Sequence, residues 1–231
     1  MQTFKGIIFD FNGTLYWDSP LHKQAWREYS KILRGTEFSD EEMVKYMFGR
    51  TNELIIRYAI GKQPTPEMVE KFGDEKEELY RQMCLKDKEH FHLAKGAVEL
   101  LDFLKENNVP MTIATMSDKN NVDFYIEHFH IDKWFDVDKI VYSDGKIPGK
   151  PAPDIYQIAA KKLGLKPEEC IVVEDALSGI TAAKDAGIGK IIAICSEEPR
   201  ELYENIPAVT GIIKDFYEFD KSLLECNYSN V

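Results

Sequence analysis

The sequence IIFDFNGTL, residues 7–15, decides how the remainder of this chain can fold. A short apolar run ends in Asp10, and Gly13 follows in a segment of turn-forming residues. This pattern predicts a buried strand over residues 5–10 that carries Asp10 into a loop. A carboxylate at the carboxyl end of a parallel strand lies where α/β sheets bind ligands, and aspartate can accept a phosphoryl group covalently. Asp10 is therefore the candidate nucleophile, although Asp-x-Asn-Gly alone is equally typical of an ordinary turn.

The composition argues against several classes of protein. The 231 residues are 44% apolar, which is enough for a large buried core. A formal net charge of −11 without a basic stripe argues against nucleic-acid binding. The four cysteines are widely spaced, which predicts neither a zinc site nor a disulfide framework. Because no apolar run approaches membrane-spanning length and no leader pattern is present, we expect a cytoplasmic protein without a membrane partner. We also expect a monomer.

The segment between the first strand and the next strand-like run, residues 110–115, has helical periodicity. The apolar positions that repeat at helical spacing are Trp26, Tyr29, Ile32, Leu33, Leu54, Ile55, Tyr58, Ala59, Met68, Phe72, Leu79, Tyr80 and Met83. We therefore predict an inserted helical domain over residues 17–92. The remaining residues, 1–16 and 93–231, are predicted to form the catalytic core domain.

From residue 96 onward, helical and strand-like segments alternate. The predicted helices cover residues 96–107, 119–129, 153–163 and 177–186, and the predicted strands cover residues 110–115, 138–142, 170–174, 190–194 and 210–213. Alternation with apolar strands implies a parallel sheet that is covered on both faces. The predicted fold is therefore α/β, a Rossmann-like, doubly wound parallel sheet with an inserted α-helical cap domain.

Polar residues also stand at the ends of two later strands or just before a helix. Thr115, Met116 and Ser117 place a hydroxyl and backbone amides where a helix begins, which suits a phosphate oxygen, although such a residue is often an ordinary helix cap. Lys150 precedes a proline-opened helix. It could neutralise a nucleophile and a transferring phosphoryl group together, although most lysines are solvated surface charges.

Two adjacent acids, Glu174 and Asp175, follow an all-apolar strand. Carboxylates in such a position are costly unless a cation meets them, and hard oxygen ligands beside a phosphate site indicate Mg²⁺. A capped turn exposed to water is the alternative for the pair alone. The four motifs together, each at a strand end or helix start, favour a functional site.

In this combination the sequence resembles the haloacid dehalogenase superfamily, in the branch with a helical cap that includes β-phosphoglucomutase and many sugar-phosphate phosphatases. The resemblance covers residues 5–215. It implies that Asp10 is the nucleophile, Thr115 the phosphate-binding hydroxyl and Lys150 the neutralising lysine. It also implies a small phosphorylated substrate.

The resemblance further implies a magnesium site and substrate contacts from the cap. Glu174 and Asp175 would be the acidic magnesium pair, with Asp10 and the main-chain carbonyl of Asn12 as further ligands. The cap positions that are similar to substrate-contacting positions of the family are His22, Gly49, Arg50 and Lys76. Arg50 suits a bidentate phosphate or carboxylate contact, whereas Lys76 supplies only a point charge. Without the resemblance, His22 and Lys76 are equally well explained as helix-surface residues.

Asn12 departs from the family pattern, which has an aspartate acid–base at this position. An amide can orient reacting groups but cannot exchange a proton, and general acid–base help is worth about 10²–10⁴ in rate. His22 is a hypothetical replacement, because its unperturbed pKa lies near neutrality. The metal ligand at position 12 is a main-chain carbonyl, so metal binding should survive the change.

The sequence is compatible with three classes of function. The first is a magnesium-dependent phosphatase, slowed by Asn12 or suited to good leaving groups, with a β-phosphoglucomutase-like phosphohexose mutase as the alternative enzyme. The second is a catalytically impaired binder of phosphate and metal. The third is carbon–halogen hydrolysis, which Glu174 and Asp175 disfavour because the metal-independent dehalogenase branch lacks this acidic pair.

Overall fold

The structure is a computed structural model that describes residues 3–47, 50–195 and 198–225. The chain divides into two compact units, one made of Met1–Trp17 with His92–Val231 and the other of Asp18–Phe91. We call them the α/β unit and the helical unit.

The α/β unit contains all five strands of the sheet. The strands are β1 (Gly6–Phe9), β2 (Met111–Ile113), β3 (Cys170–Glu174), β4 (Lys190–Ile194) and β5 (Gly211–Ile213). Its α-helices are α5 (Ala97–Glu106), α6 (Lys119–Phe129), α7 (Asp154–Leu163), α8 (Leu177–Asp185) and α9 (Glu201–Glu204), and its 3₁₀ helices are Ile131–Lys133, Val137–Lys139, Pro167–Glu169, Phe216–Glu218 and Lys221–Leu223.

All neighbouring strands run parallel, in the order β2-β1-β3-β4-β5. The chain leaves β1 for β2 on one side and later returns to β3 on the other, so the strand order reverses between β1 and β3. Ligands of doubly wound sheets bind outside the carboxyl ends of the strands at this reversal. The predicted fold class is confirmed, and Asp10 and Glu174 lie on either side of the reversal.

Both faces of β1, an interior strand of the sheet, are covered. Ile8 belongs to a buried cluster with Ile155 and Ala159 of α7 and Ile180 of α8. Phe9, the next residue along the strand, points to the opposite face and makes edge contacts with the rings of Phe135 and Phe216. Burial on both faces explains why the strand reads as a continuous apolar run rather than an alternating one.

The strand predicted over residues 138–142 is wrong. Val137–Lys139 form a 3₁₀ helix whose first turn is capped by the Asp136 carboxylate, which accepts a hydrogen bond from the Asp138 amide at 3.2 Å. Val141 alone pairs with the sheet, in a single parallel bridge to Ala114. The apolar pair Ile140 and Val141 is buried, and this burial produced the strand-like pattern.

All secondary-structure elements in the described residues of the helical unit are helices. These are α1 (Ser19–Arg34), α2 (Asp40–Glu42), a π-helix (Met43–Met47), α3 (Asn52–Ile60) and α4 (Pro66–Lys86). Trp26, Tyr29, Ile55 and Ala59 are buried together, as their spacing predicts. Ile32 is an exception, because its side chain is 69% exposed. Among the helices of the described ranges, none combines the length and the apolar character that a membrane span requires.

Candidate active site

The lysine ammonium of Lys150 joins two carboxylates at the carboxyl edge of the sheet. Its Nζ lies 2.6 Å from Asp10 Oδ1 and 2.7 Å from Glu174 Oε1, and it also donates to the Ala114 carbonyl at 3.3 Å. The side chains of Lys150, Asp10 and Glu174 are 7%, 10% and 1% exposed. The structure thus brings three predicted site residues into one buried ion-pair network.

The electrostatics of this network follow from its burial. Burial and the charge of Glu174 outweigh the opposing charge of Lys150 and together raise the pKa of Asp10 to about 7. Burial opposes the charging of Lys150, but the carboxylates of Asp10 and Glu174 outweigh it and hold the pKa of Lys150 well above its usual value. Lys150 therefore remains a fixed cation, which is the form that stabilises a negatively charged phosphoryl group.

Asp175 completes a group of acids that suits a hard cation. Asp10, Glu174 and Asp175 each offer one oxygen, and these three atoms lie within 4.8 Å of one another. Burial, followed by the charges of Glu174 and Asp10, raises the pKa of Asp175 well above its usual value. Three carboxylates with one lysine leave an excess of negative charge, which Mg²⁺ would compensate through oxygen ligands of the kind it prefers. The residues therefore fit the predicted metal.

Two glycines make room for these acids. A Cβ on Gly13, whose φ is +78°, would lie 2.2 Å from Asp175 Oδ2. A Cβ on Gly179, in the first turn of α8, would lie 1.5 Å from Glu174 Oε1. Because glycine has no side chain, the loop after β1 at Gly13 and the helix α8 at Gly179 can approach the acid pair this closely.

The Asn12 side chain is held by three hydroxyl groups. Its Oδ1 accepts hydrogen bonds from Ser117 Oγ at 2.7 Å and from Thr115 Oγ1 at 3.3 Å. Its Nδ2 donates to the Tyr125 hydroxyl at 2.7 Å. Thr115 Oγ1 in turn accepts from the Ser117 amide at 3.1 Å. The predicted phosphate-binding hydroxyl of Thr115 and the hydroxyl of Ser117 therefore both meet the amide of Asn12. Met116, between them, packs its side chain against the core of the α/β unit.

His22 and Lys76 lie together within the helical unit. Lys76 is 2% exposed and donates to His22 Nδ1 at 3.1 Å and to Glu77 Oε1 at 2.6 Å. Because an ammonium group only donates, Nδ1 of His22 is unprotonated and Nε2 carries the hydrogen that faces Asp18 Oδ2 at 3.4 Å. The His22 ring also stacks on Tyr80 with ring centres 3.8 Å apart. Lys76 is thus buried rather than solvated, and the half-buried His22 belongs to the same polar network.

Arg50 is exposed and lines a groove of about 360 Å³ in the helical unit. The other residues that line this groove are Lys45, Tyr46, Leu54, Arg57 and Tyr58. Gly49 lies outside the described residues.

The sequence reasoning missed several residues that contact the site. Thr14 Oγ1 donates to Asp175 Oδ1 at 3.3 Å, and Tyr156 donates to Glu174 Oε1 at 3.0 Å. Tyr125 contacts Asn12 and stacks on Phe11, with ring centres 4.1 Å apart. The tyrosines gave no separate signal, because an aromatic residue on a helix is also expected in the core. Thr14 could have been found from its place in the loop after Asp10.

Comparison with known proteins identifies the family to which this chain is related. A model of the haloacid dehalogenase-like hydrolase family matches residues 4–187. Fructose-1-phosphate phosphatase YqaB of Escherichia coli K12 is 29% identical over 192 residues, which cover 82% of this chain and 96% of that protein.

Two crystal structures are similar over nearly the full chain. An HAD hydrolase of family IA, variant 3, from Entamoeba histolytica has a TM-score of 0.89 and 42% identity, covering 96% of this chain and 97% of that one. A variant of CbbY from Rhodobacter sphaeroides in complex with xylulose-1,5-bisphosphate has a TM-score of 0.78 and 25% identity, covering 94% and 96%. With its parallel sheet and its matched residues, the chain belongs to the haloacid dehalogenase-like hydrolase family.

Proposed function

We propose that this protein is a magnesium-dependent phosphatase that acts on a small phosphorylated metabolite through an aspartyl-phosphate intermediate. The observation that carries the proposal is the buried contact of Lys150 with both Asp10 and Glu174, at the strand-order reversal of the sheet. Family membership and the phosphatase among the relatives support the reaction class.

We propose that Asp10, Glu174, Asp175 and the main-chain carbonyl of Asn12 hold Mg²⁺. The clustering of the three carboxylates supports this ligand set. A bound Mg²⁺ would neutralise charge on the phosphoryl oxygens and help to orient them.

The proposed reaction has two steps, transfer of the phosphoryl group to Asp10 and hydrolysis of the aspartyl phosphate. A carboxylate oxygen of Asp10 attacks phosphorus, a new P–O bond forms, and the bond to the leaving oxygen breaks with its electron pair on that oxygen. Lys150 offsets the charge of the phosphoryl group, and Thr115 and Ser117 donate hydrogen bonds to its oxygens. Water then attacks phosphorus, the P–O bond to Asp10 breaks with its electron pair on the Asp10 carboxylate, and a proton passes from the attacking water to bulk solvent as inorganic phosphate forms.

Asn12 restricts the phosphate esters that this site can hydrolyse rapidly. Its amide is held by hydroxyl groups and cannot give a proton to the leaving oxygen or take one from water. Substrates whose leaving groups need no proton, such as acyl and aryl phosphates, should therefore react faster than alkyl phosphates. The same deficiency weighs against the mutase alternative, because transfer to a sugar hydroxyl requires that a proton be removed.

We propose that the helical unit acts as the substrate cap, with Gly49, Arg50, Lys76 and His22 contributing contacts. Arg50 is the stronger candidate for an anionic group, because Lys76 is already paired with Glu77. The role of His22 as a replacement acid stays a hypothesis, and it is opposed by the hydrogen bond at Nδ1 and the close contact of Nε2 with Asp18. Unchanged turnover of His22→Ala would remove it.

The proposal is tested by steady-state phosphatase assays with Mg²⁺ on sugar phosphates, nucleotides and acetyl phosphate, for this protein and Asn12→Asp side by side. Activity of the native chain within about tenfold of the variant supports a working phosphatase, since the loss of general acid–base help would cost about 10²–10⁴ in rate unless another group supplied it. Activity of the variant alone supports the second candidate, a metal and phosphate binder that has lost turnover. Monomeric state and cytoplasmic location stay predictions.

A further inference from the structure

Tyr156 is a buried polar residue that the proposed reaction does not use. It lies in the first turn of α7, shortly after Lys150 in the chain, and it is fully buried. Its hydroxyl donates to Glu174 Oε1 at 3.0 Å, and the Lys150 ammonium lies 5.0 Å from the centre of its ring.

Glu174 depends on this donor for its orientation. Its Oε2 accepts from the Ala176 amide at 2.7 Å, and its Oε1 accepts from both Lys150 and Tyr156. These contacts fix both oxygens of a carboxylate that is 1% exposed. Without the tyrosine, Oε1 would rely on Lys150 alone, and Lys150 is shared with Asp10.

We propose that Tyr156 is a positioning residue that holds Glu174 in the orientation required for metal binding and leaves Lys150 shared between Glu174 and Asp10. This inference rests on the proposed function, because it concerns the same metal site. Groups that orient a metal ligand in this way typically change metal affinity by about 10–100-fold when they are removed.

The test is calorimetric titration of the full-length, metal-free protein with MgCl₂, for the native chain, Tyr156→Phe and Tyr217→Phe. Tyr217 is the matched control, because its hydroxyl donates to the Glu99 carboxylate at 2.7 Å but at an exposed position. We expect Tyr156→Phe to weaken Mg²⁺ binding about tenfold and Tyr217→Phe to leave it unchanged. At saturating Mg²⁺, the KM for acetyl phosphate should stay within about twofold in Tyr156→Phe, since the phosphate-binding hydroxyls are untouched.

A second pair of variants separates positioning from general destabilisation. In a Glu174→Ala background, Tyr156→Phe should have no further effect on Mg²⁺ affinity, because the carboxylate that Tyr156 orients has been removed. Equal Mg²⁺ affinity of the native chain and Tyr156→Phe, or additive losses in the double variant, would overturn the positioning role. Absence of Mg²⁺ binding by the native chain would instead overturn the proposed metal site, and the inference with it.

Discussion

The Ser117 hydroxyl donates a hydrogen bond to Asn12 Oδ1 at 2.7 Å. In the proposed reaction, a phosphate oxygen accepts a hydrogen bond from this same hydroxyl when substrate binds. Asn12 therefore occupies, in the substrate-free protein, a hydroxyl that we propose for phosphate binding. On this proposal, the contact with Asn12, in the loop after β1, affects the affinity for phosphate.

We expect Ser117→Ala to weaken binding of inorganic phosphate. A hydrogen bond to a charged group is worth about 1.5–3 kcal/mol, which corresponds to about tenfold to a hundredfold in affinity. The measurement is competitive inhibition by phosphate in the acetyl phosphate assay. Ser222→Ala serves as the control, because Ser222 is exposed and its hydroxyl contacts Asp220. Equal inhibition constants for both variants would contradict the role of Ser117.

Lys150→Met should abolish activity and destabilise the α/β unit. Removing one partner of a buried ion pair typically costs about 3–5 kcal/mol, because the other charges stay buried without compensation. The expected loss appears in urea unfolding at neutral pH and shrinks as the pH falls, since protonation of Asp10 removes the uncompensated charge. The exposed Lys146 provides the control Lys146→Met. Equal stability of the two variants would refute the buried network.

Gly13→Ala should disrupt the metal site, whereas Gly187→Ala should not. Both glycines have φ near +80°, so both substitutions carry a backbone cost of about 1–2 kcal/mol. Only at Gly13 would the new methyl group overlap a carboxylate, that of Asp175, while nothing lies within 4 Å of a Cβ at Gly187. Mg²⁺ titration of the two variants distinguishes the overlap from the backbone cost.

Glu42 stabilises the helical unit in a pH-dependent manner. Hydrogen bonds from Arg34 and Tyr58 hold the pKa of Glu42 well below its usual value of 4.5. A carboxyl with a lowered folded-state pKa contributes stability above its unfolded value, and this contribution is lost as the pH falls through the folded value.

We therefore expect Glu42→Gln to lower the melting temperature by the same amount from pH 8 to about pH 6, and by less below about pH 4.5. Thermal unfolding followed by circular dichroism measures both regimes. Glu41→Gln, at an exposed neighbouring position, provides the control. A difference between Glu42→Gln and the native chain that grows on acidification would contradict the assignment.

The convergence of Asp10, Lys150 and Glu174 could be predicted from the sequence. Acids at the ends of apolar strands meet at one edge when the strands are parallel, so the pattern placed Asp10 and Glu174 together. Lys150 follows no strand, and its place beside the two acids was predicted from the family resemblance. The strand prediction at residues 138–142 failed because Val141 is buried and bridges the sheet at one point, although the chain around it turns under the Asp136 cap.

The tyrosine contacts could not be predicted from sequence. Tyr125 and Tyr156 occupy buried helix positions where any large apolar residue satisfies the pattern, and only the fold shows which atoms their hydroxyls meet. The pairing of Lys76 with Glu77 is likewise invisible in a run of charges that reads as a solvated helix face.

The most direct measurement is a search for the phosphorylated enzyme by mass spectrometry after mixing with acetyl phosphate and Mg²⁺. Because Asn12 cannot activate water, we expect the aspartyl phosphate to accumulate, with the mass of one phosphoryl group added to the peptide that contains Asp10. The signal should vanish in Asp10→Asn and on removal of Mg²⁺, and it should be shorter-lived in Asn12→Asp. Turnover of acetyl phosphate with no such adduct under rapid quenching, or a signal that persists in Asp10→Asn, would contradict Asp10 as the nucleophile.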